Sequence, residues 1–161
     1  MTDSVPVTLK GRCSCGESEY ELKRMPMFVH CCHCTWCQKE TGSAFAVNAL
    51  IESSDVSLVK GEVNEIELPT NSGSGQKVIR CKTCQEALWS YYGAAREKVS
   101  FVRVGTLDQP DLCPPDIHIY TSSKQKWGVL KDGDAAVDAF YSRSEYWPQD
   151  AITRYKNAKN T

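Results

Sequence analysis

The sequence predicts a mostly-β single domain over residues 1–161, and three observations point there. Short segments of alternating or β-branched and aromatic residues dominate the chain. Glycine and proline punctuate the gaps between them. Helical character is confined to two stretches, with no internal repeat or heptad. In chain order the expected strands are Ser18 to Lys23, Phe45 to Ile51, Val56 to Val59, Val63 to Leu68, Val78 to Cys81, Leu88 to Tyr92, Val99 to Val104 and Ile117 to Tyr120. Their side chains suit pleated surfaces half buried against a second sheet. The breaks fall at Gly61, the Asn71-Ser72-Gly73-Ser74-Gly75 run, Gly93, Gly105 and Pro114-Pro115. One short helical turn is expected to begin near Trp36, and a terminal helix over Asp150 to Ala158. The 71–75 run reads either as a flexible linker or as a lid beside a cysteine pair. Phe101, Trp127 and Phe140 are expected in the core.

Bulk properties exclude several classes of function. The 161 residues suffice for a hydrophobic core without staples. Hydrophobic content of 41% and charged content of 24% are those of a soluble globular protein. A formal net charge of −1 gives no electrostatic basis for capturing nucleic acid or an anionic membrane. The longest apolar stretch, Ala44 to Ile51, is interrupted by Asn48 and too short to span a bilayer. Residues 1–12 contain no signal-peptide core, so a cytosolic location is expected.

Nine cysteines in a reducing compartment read as metal ligands or catalytic groups rather than disulfides. They fall into a CxC (Cys13, Cys15), a CxCxxC (Cys32, Cys34, Cys37) and a CxxC (Cys81, Cys84), leaving Cys31 and Cys113. Two close pairs, Cys13 with Cys15 and Cys81 with Cys84, supply the four thiolates of a closed tetrahedral zinc site. Such a site is structural and contributes to folding. Cys32 and Cys34 share one face of an extended segment, and the turn at Thr35-Trp36 returns Cys37 toward them. Three ligands with an open corner is the geometry of catalytic zinc, giving two zinc ions per chain in all. The alternative is a second structural site completed by Cys31, His30, His33 or Cys113. Alternation places Cys31 and His33 on the opposite face.

Zn²⁺ with three thiolates carries a net charge of −1, so it acidifies water weakly. A soft site of this kind suits a substrate sulfur held as its thiolate, the nucleophilic form. Thiol addition to a carbonyl, or C–S cleavage, is the chemistry that follows. His118 is either a half-buried strand histidine or a proton-transfer group serving that site. Trp36 packs either in the core or on a pocket wall. Arg12, Lys39 and Arg80 are either partners for substrate carboxylates or solvated charges. Cys31 and Cys113 read as small buried hydrophobes.

The ordered motifs resemble the glutathione-dependent formaldehyde-activating enzyme family, which includes the centromere protein V domain. Gly11-Arg12-Cys13-Ser14-Cys15-Gly16, followed by Tyr20, resembles the family's GxCxCG opening. Cys32-His33-Cys34-Thr35-Trp36-Cys37-Gln38-Lys39, followed by Thr41-Gly42-Ser43-Ala44-Phe45, resembles its CHCxxCRK centre. Arg80-Cys81-Lys82-Thr83-Cys84 resembles its FCxxCG element, and Gly105-Thr106-Leu107-Asp108, His118-Ile119 and Trp127 resemble its closing elements. The chain departs from the family at Arg80, where an aromatic is usual, at Gln85, where glycine is usual, and at Gln38, where arginine is usual. The run Gly75 to Ser90 with Trp89 resembles fungal members. The resemblance implies a β-tent of small antiparallel sheets with zinc-ribbon-like cysteine pairs. It also implies a structural zinc on Cys13, Cys15, Cys81 and Cys84, a second zinc on Cys32, Cys34 and Cys37, and S-(hydroxymethyl)glutathione synthase activity, a carbon–sulfur lyase reaction on glutathione or a related thiol.

The competing reading is a non-catalytic module in which zinc scaffolds a thiol- or protein-binding surface. A scaffold has no reason to leave a ligand position vacant, which separates the two. Association with microtubules or nucleic acid would use a basic arm, and the residues before Gly11 contain no basic run.

Overall fold

The computed structural model describes residues 7–161. Among the described residues, ten strands form two sheets. β1 (Leu9–Arg12), β2 (Glu19–Leu22) and β5 (Val56–Lys60) make a three-stranded antiparallel sheet in the order β1-β2-β5. The remaining strands are β3 (Phe28–Cys32), β4 (Ala46–Glu52), β6 (Val63–Leu68), β7 (Gln76–Cys81), β8 (Ala87–Tyr92), β9 (Val99–Arg103) and β10 (Ile117–Ile119). They form a seven-stranded sheet in the order β10-β3-β4-β9-β8-β7-β6. All its pairings are antiparallel except β10 with β3, which run parallel. Three α-helices complete the fold: α1 (Thr35–Thr41), α2 (Arg143–Tyr146) and α3 (Gln149–Asn160). No described helix is long and apolar enough to cross a membrane.

Two strands lie outside the expected set, each for a physical reason. β3 is buried along its whole length, so it shows no alternation. β1 buries only Leu9 and Gly11 and reads as polar. Gly11 is required there because a Cβ would stand 2.3 Å from the Tyr20 ring. The 71–75 run is the hairpin loop between β6 and β7, and its Ser72 hydroxyl lies 2.8 Å from that of Tyr92.

The large sheet is covered on both faces. One face meets the small sheet around Leu9, Tyr20, Leu22, Val29, Ile51 and Val102. The other meets the C-terminal segment around Phe28, Leu50, Val99, Trp147 and Tyr155. α3 reaches this core through Ala151, Tyr155 and Ala158, the spacing of one helical face. Arg154 on the same helix makes hydrogen bonds of 2.8 and 2.7 Å to both carboxylate oxygens of Glu52. Trp147 stacks on Phe28 with ring centres 5.2 Å apart and donates its indole N–H to Tyr141 Oη at 2.6 Å. Of the three aromatics expected in the core, Phe101 packs against it, but Trp127 is 73% exposed and Phe140 48% exposed. Both belong to the irregular chain after β10, which presents these rings to solvent instead of closing over them.

Candidate functional site

Cys13 and Cys15 sit on the turn between β1 and β2. The N–H of Gly16 donates to Cys13 O at 3.1 Å, closing that turn. Cys81 ends β7 and Cys84 lies on the turn that follows, where Gln85 N–H donates to Cys81 O at 3.0 Å. Gln85, the position where the family carries glycine, has φ 64°, the left-handed region that glycine enters without steric cost. Its side-chain amide donates to Lys82 O at 2.8 Å and braces the turn. Folding brings the two turns together. Cys13 and Cys15 sulfurs are 3.4 Å apart, Cys15 and Cys81 sulfurs 3.8 Å, and all four sulfurs lie within 4.8 Å of one another. Zn–S bonds of about 2.3 Å at a tetrahedral angle place sulfurs about 3.8 Å apart. The donor set therefore fits zinc, and Ser18 N–H supports it from behind by donating to Cys13 Sγ at 3.3 Å.

The second set is built at the exit of β3. Cys32 is its last residue, Cys34 is the N-cap of α1, and Cys37 lies in the first turn, where its N–H donates to Cys34 Sγ at 3.3 Å. Gly42 ends this helix in the left-handed conformation, φ 64°. The three sulfurs also lie within 4.8 Å of one another, and among the described residues no fourth Cys, His, Asp or Glu joins the set. The Cys34 thiol is held far below the usual range, first by hydrogen bonds from Cys32 and Cys37 and then by the backbone N–H groups of Cys37 and Trp36. Its partner Cys37 is pushed up by the same two thiol contacts. Three sulfurs converging within 4.8 Å are a fit donor set for a soft or borderline cation such as zinc.

α1 is fixed to the sheet by a buried charge network that the motifs do not reveal. Glu40 pairs with Arg80 through one oxygen and with Arg103 at 2.9 Å through the other, and Arg103 also donates to Asn48. Arg80 is thus engaged internally, as is Arg12, whose Nε lies 3.0 Å from Asp108. Lys39 is exposed and lines an open cleft of about 660 Å³ with Gln38, Phe45, Gln125 and Trp127. Gln38 points away from the three thiols. Its amide nitrogen donates to His33 O at 2.8 Å and Ser123 O at 2.9 Å, tying α1 to the chain after β10. Trp36 is half buried, and its indole N–H is buried with no partner.

His118 does not stand beside Cys32, Cys34 and Cys37. The β10–β3 register pairs it with Cys31, so the pleat sends it to the opposite face of the sheet. There its Nδ1 lies 3.0 Å from His33 Nε2, and its Nε2 lies 3.6 Å from Asp134 Oδ2. Burial lowers its pKa, against the pull of Asp134. Cys31 also proves more than a buried hydrophobe, with its sulfur 3.6 Å from His33 Nε2. Cys113 packs in the first core as expected.

At the end of β10, Tyr120 is the titratable group that feels the charge of the three thiols. Its phenol is pushed above the usual value, first by burial and then by the charge of Tyr92, Cys32, Cys34 and Cys37 nearby. Its backbone is left-handed, φ 55°, a conformation that costs about 1 kcal/mol or more for a bulky residue. In sequence it is one more aromatic at the end of a strand, and no spacing rule connects it to cysteines so far upstream.

A family model described as glutathione-dependent formaldehyde-activating enzyme matches residues 8–123. Among solved structures, a Rhodobacter sphaeroides protein is similar at 23% identity and a TM-score of 0.49, covering 66% of this chain and 96% of that one.

Proposed function

Since the chain belongs to the glutathione-dependent formaldehyde-activating enzyme family, we propose that it is a carbon–sulfur lyase of the S-(hydroxymethyl)glutathione synthase kind, joining the sulfur of glutathione or a related thiol to the carbon of formaldehyde or another small carbonyl. The observation that carries this reading is the set of Cys32, Cys34 and Cys37 sulfurs, which converge without a fourth protein ligand among the described residues. These three would hold one zinc, and Cys13, Cys15, Cys81 and Cys84 another. When bound by three thiolates, zinc supplies a soft, net-negative centre suited to keeping a substrate sulfur deprotonated and nucleophilic.

The protein's own residues then do the rest. Cys34 and Cys37 ride on α1, which Glu40, Arg80 and Arg103 lock to the sheet, so the reacting sulfur is presented from a rigid base. As the C–S bond forms, the carbonyl π pair moves to oxygen. Tyr120 Oη–H gives that oxygen its proton, producing the hydroxymethyl thioether, and takes it back in the reverse direction. His118 is on the wrong face for this role. Lys39 is exposed on the open cleft and would meet a substrate carboxylate there, since Arg12 and Arg80 are already paired.

The test follows thiol consumption when zinc-replete protein is given glutathione and formaldehyde, then bulkier carbonyls. Turnover is expected for wild type and its loss for Cys34→Ala. A zinc-replete wild type that turns over no thiol and no thiol adduct would instead mark a binding module.

A further inference from the structure

On the face of β3 opposite the cysteine triple, Cys31 Sγ, His33 Nε2 and His118 Nδ1 lie within 4.8 Å of one another. We propose that these three atoms form a further metal site, for a borderline divalent cation of the zinc class, distinct from both cysteine clusters. Four features of the site support this.

The spacings suit such a cation. A Zn–S bond of about 2.3 Å and a Zn–N bond of about 2.05 Å at a tetrahedral angle separate S from N by about 3.6 Å and N from N by about 3.3 Å. The observed separations are 3.6 Å for Cys31 to His33 and 3.0 Å for His33 to His118.

The site has an outer carboxylate. Asp134 stands 3.6 Å from His118 Nε2, the nitrogen that faces away from the cluster. A carboxylate at that distance favours the ring's proton on Nε2 electrostatically, which leaves Nδ1 as the lone pair on the cluster side, and carboxylates commonly stand behind metal-bound histidines. Asp134 comes from chain beyond the residues the family model matches.

The donors are rigidly held. Cys31 and His118 are opposite one another in the β3–β10 register, and His33 N–H continues that ladder by donating to Ile119 O at 2.9 Å. Pairing through His118 N to Ala135 O and Val137 N to His118 O keeps the segment around Asp134 against β10.

The site borders a route to solvent. The His33 ring packs edge-on to Phe45 at 5.4 Å, and Phe45 lines the open cleft. With one thiolate and two neutral imidazoles, a divalent ion here carries net charge +1. That is the opposite sign from the three-thiolate site across the same strand.

The experiment loads the full-length protein with ¹¹³Cd²⁺ and records its cadmium NMR spectrum alongside metal analysis. Three ions per chain and three resonances are expected, one of them displaced toward the position of a single-sulfur environment. His118→Ala should remove that resonance and one ion while the two sulfur-rich resonances remain. Should His118→Ala fail to fold, Asp134→Asn should weaken the same site roughly 10- to 100-fold and leave the other two unchanged. Two ions in the wild type, or three resonances untouched by either variant, would overturn the proposal. The readout is metal occupancy, so it is independent of whether the enzyme turns over.

Discussion

Cys31 and Cys32 are consecutive residues of one strand, yet they serve opposite faces of the seven-stranded sheet. Cys32 joins Cys34 and Cys37 on the face covered by the C-terminal segment, and Cys31 joins His33 and His118 on the other. The strict alternation of β3 separates the two chemistries, and a one-residue slip of register would exchange them.

The two cysteine clusters differ in what their loss should do. Cys81→Ser removes a buried member of the set that joins the β1–β2 turn to the end of β7, so this variant is expected to lose one zinc together with its native fold. Cys34→Ser opens a cluster assembled within one short stretch of chain, and is expected to lose one zinc while staying folded. Metal analysis with circular dichroism on both proteins checks this. A folded Cys81→Ser protein with full zinc content would refute the structural assignment.

Tyr120→Phe keeps the ring and removes only the acidic proton. The rate constant for adduct formation is expected to fall roughly 10²-fold, with little change in melting temperature. Stopped-flow measurement of thiol consumption separates this from a packing role, which would move stability and leave the rate alone.

Stability should also depend on Glu52. Burial alone would raise its carboxyl, but the hydrogen bonds and charge of Arg154, with Arg24, hold it below the ordinary 4.5. A carboxyl with a depressed folded value contributes stability above its unfolded value and loses it as the pH falls through the folded one. Glu52→Gln is therefore expected to cost about 2 kcal/mol at neutral pH. The gap to wild type should close as the pH falls below 4.5. Urea titrations of both proteins across that range give the difference directly. A gap that is constant with pH would remove the ion pair as its cause.

Gln85→Gly should stabilise the protein. The left-handed backbone favours glycine by about 1 kcal/mol, and the amide contact to Lys82 that would be lost is exposed and weak. The midpoint of denaturation should rise without a change in zinc content. A lower midpoint would show that the side-chain brace outweighs the backbone cost.

Much of this was legible in the sequence where the signal is local. The bounds of β6 were read correctly because Val63 to Leu68 alternates with one face half buried. Both cysteine clusters were readable because their ligands come in pairs or triples a few residues apart. β3 escaped because a strand buried on both faces has no alternation to show. The sequence leaves His118 open between a strand histidine and a proton-transfer group because its partner is set by a parallel register with the distant strand β3, which no local pattern encodes. Tyr120, Glu40 and Arg103 escaped for the same reason. Each gains its meaning only from what the fold sets beside it.

The pairing of β10 with β3 has a consequence for how the chain reaches its native state. β6 to β9 form a meander of antiparallel neighbours, each joined through a short connection. β10 must instead close a long loop onto β3, and the entropy of closure grows with loop length. Non-local parallel pairs of this kind slow folding. The meander is thus expected early and the β3–β10 edge late, leaving one edge of β3 exposed in between as an unpaired, largely apolar edge, the sort of template on which chains associate. The rate at which β10 arrives would then set how much of a newly made chain escapes aggregation.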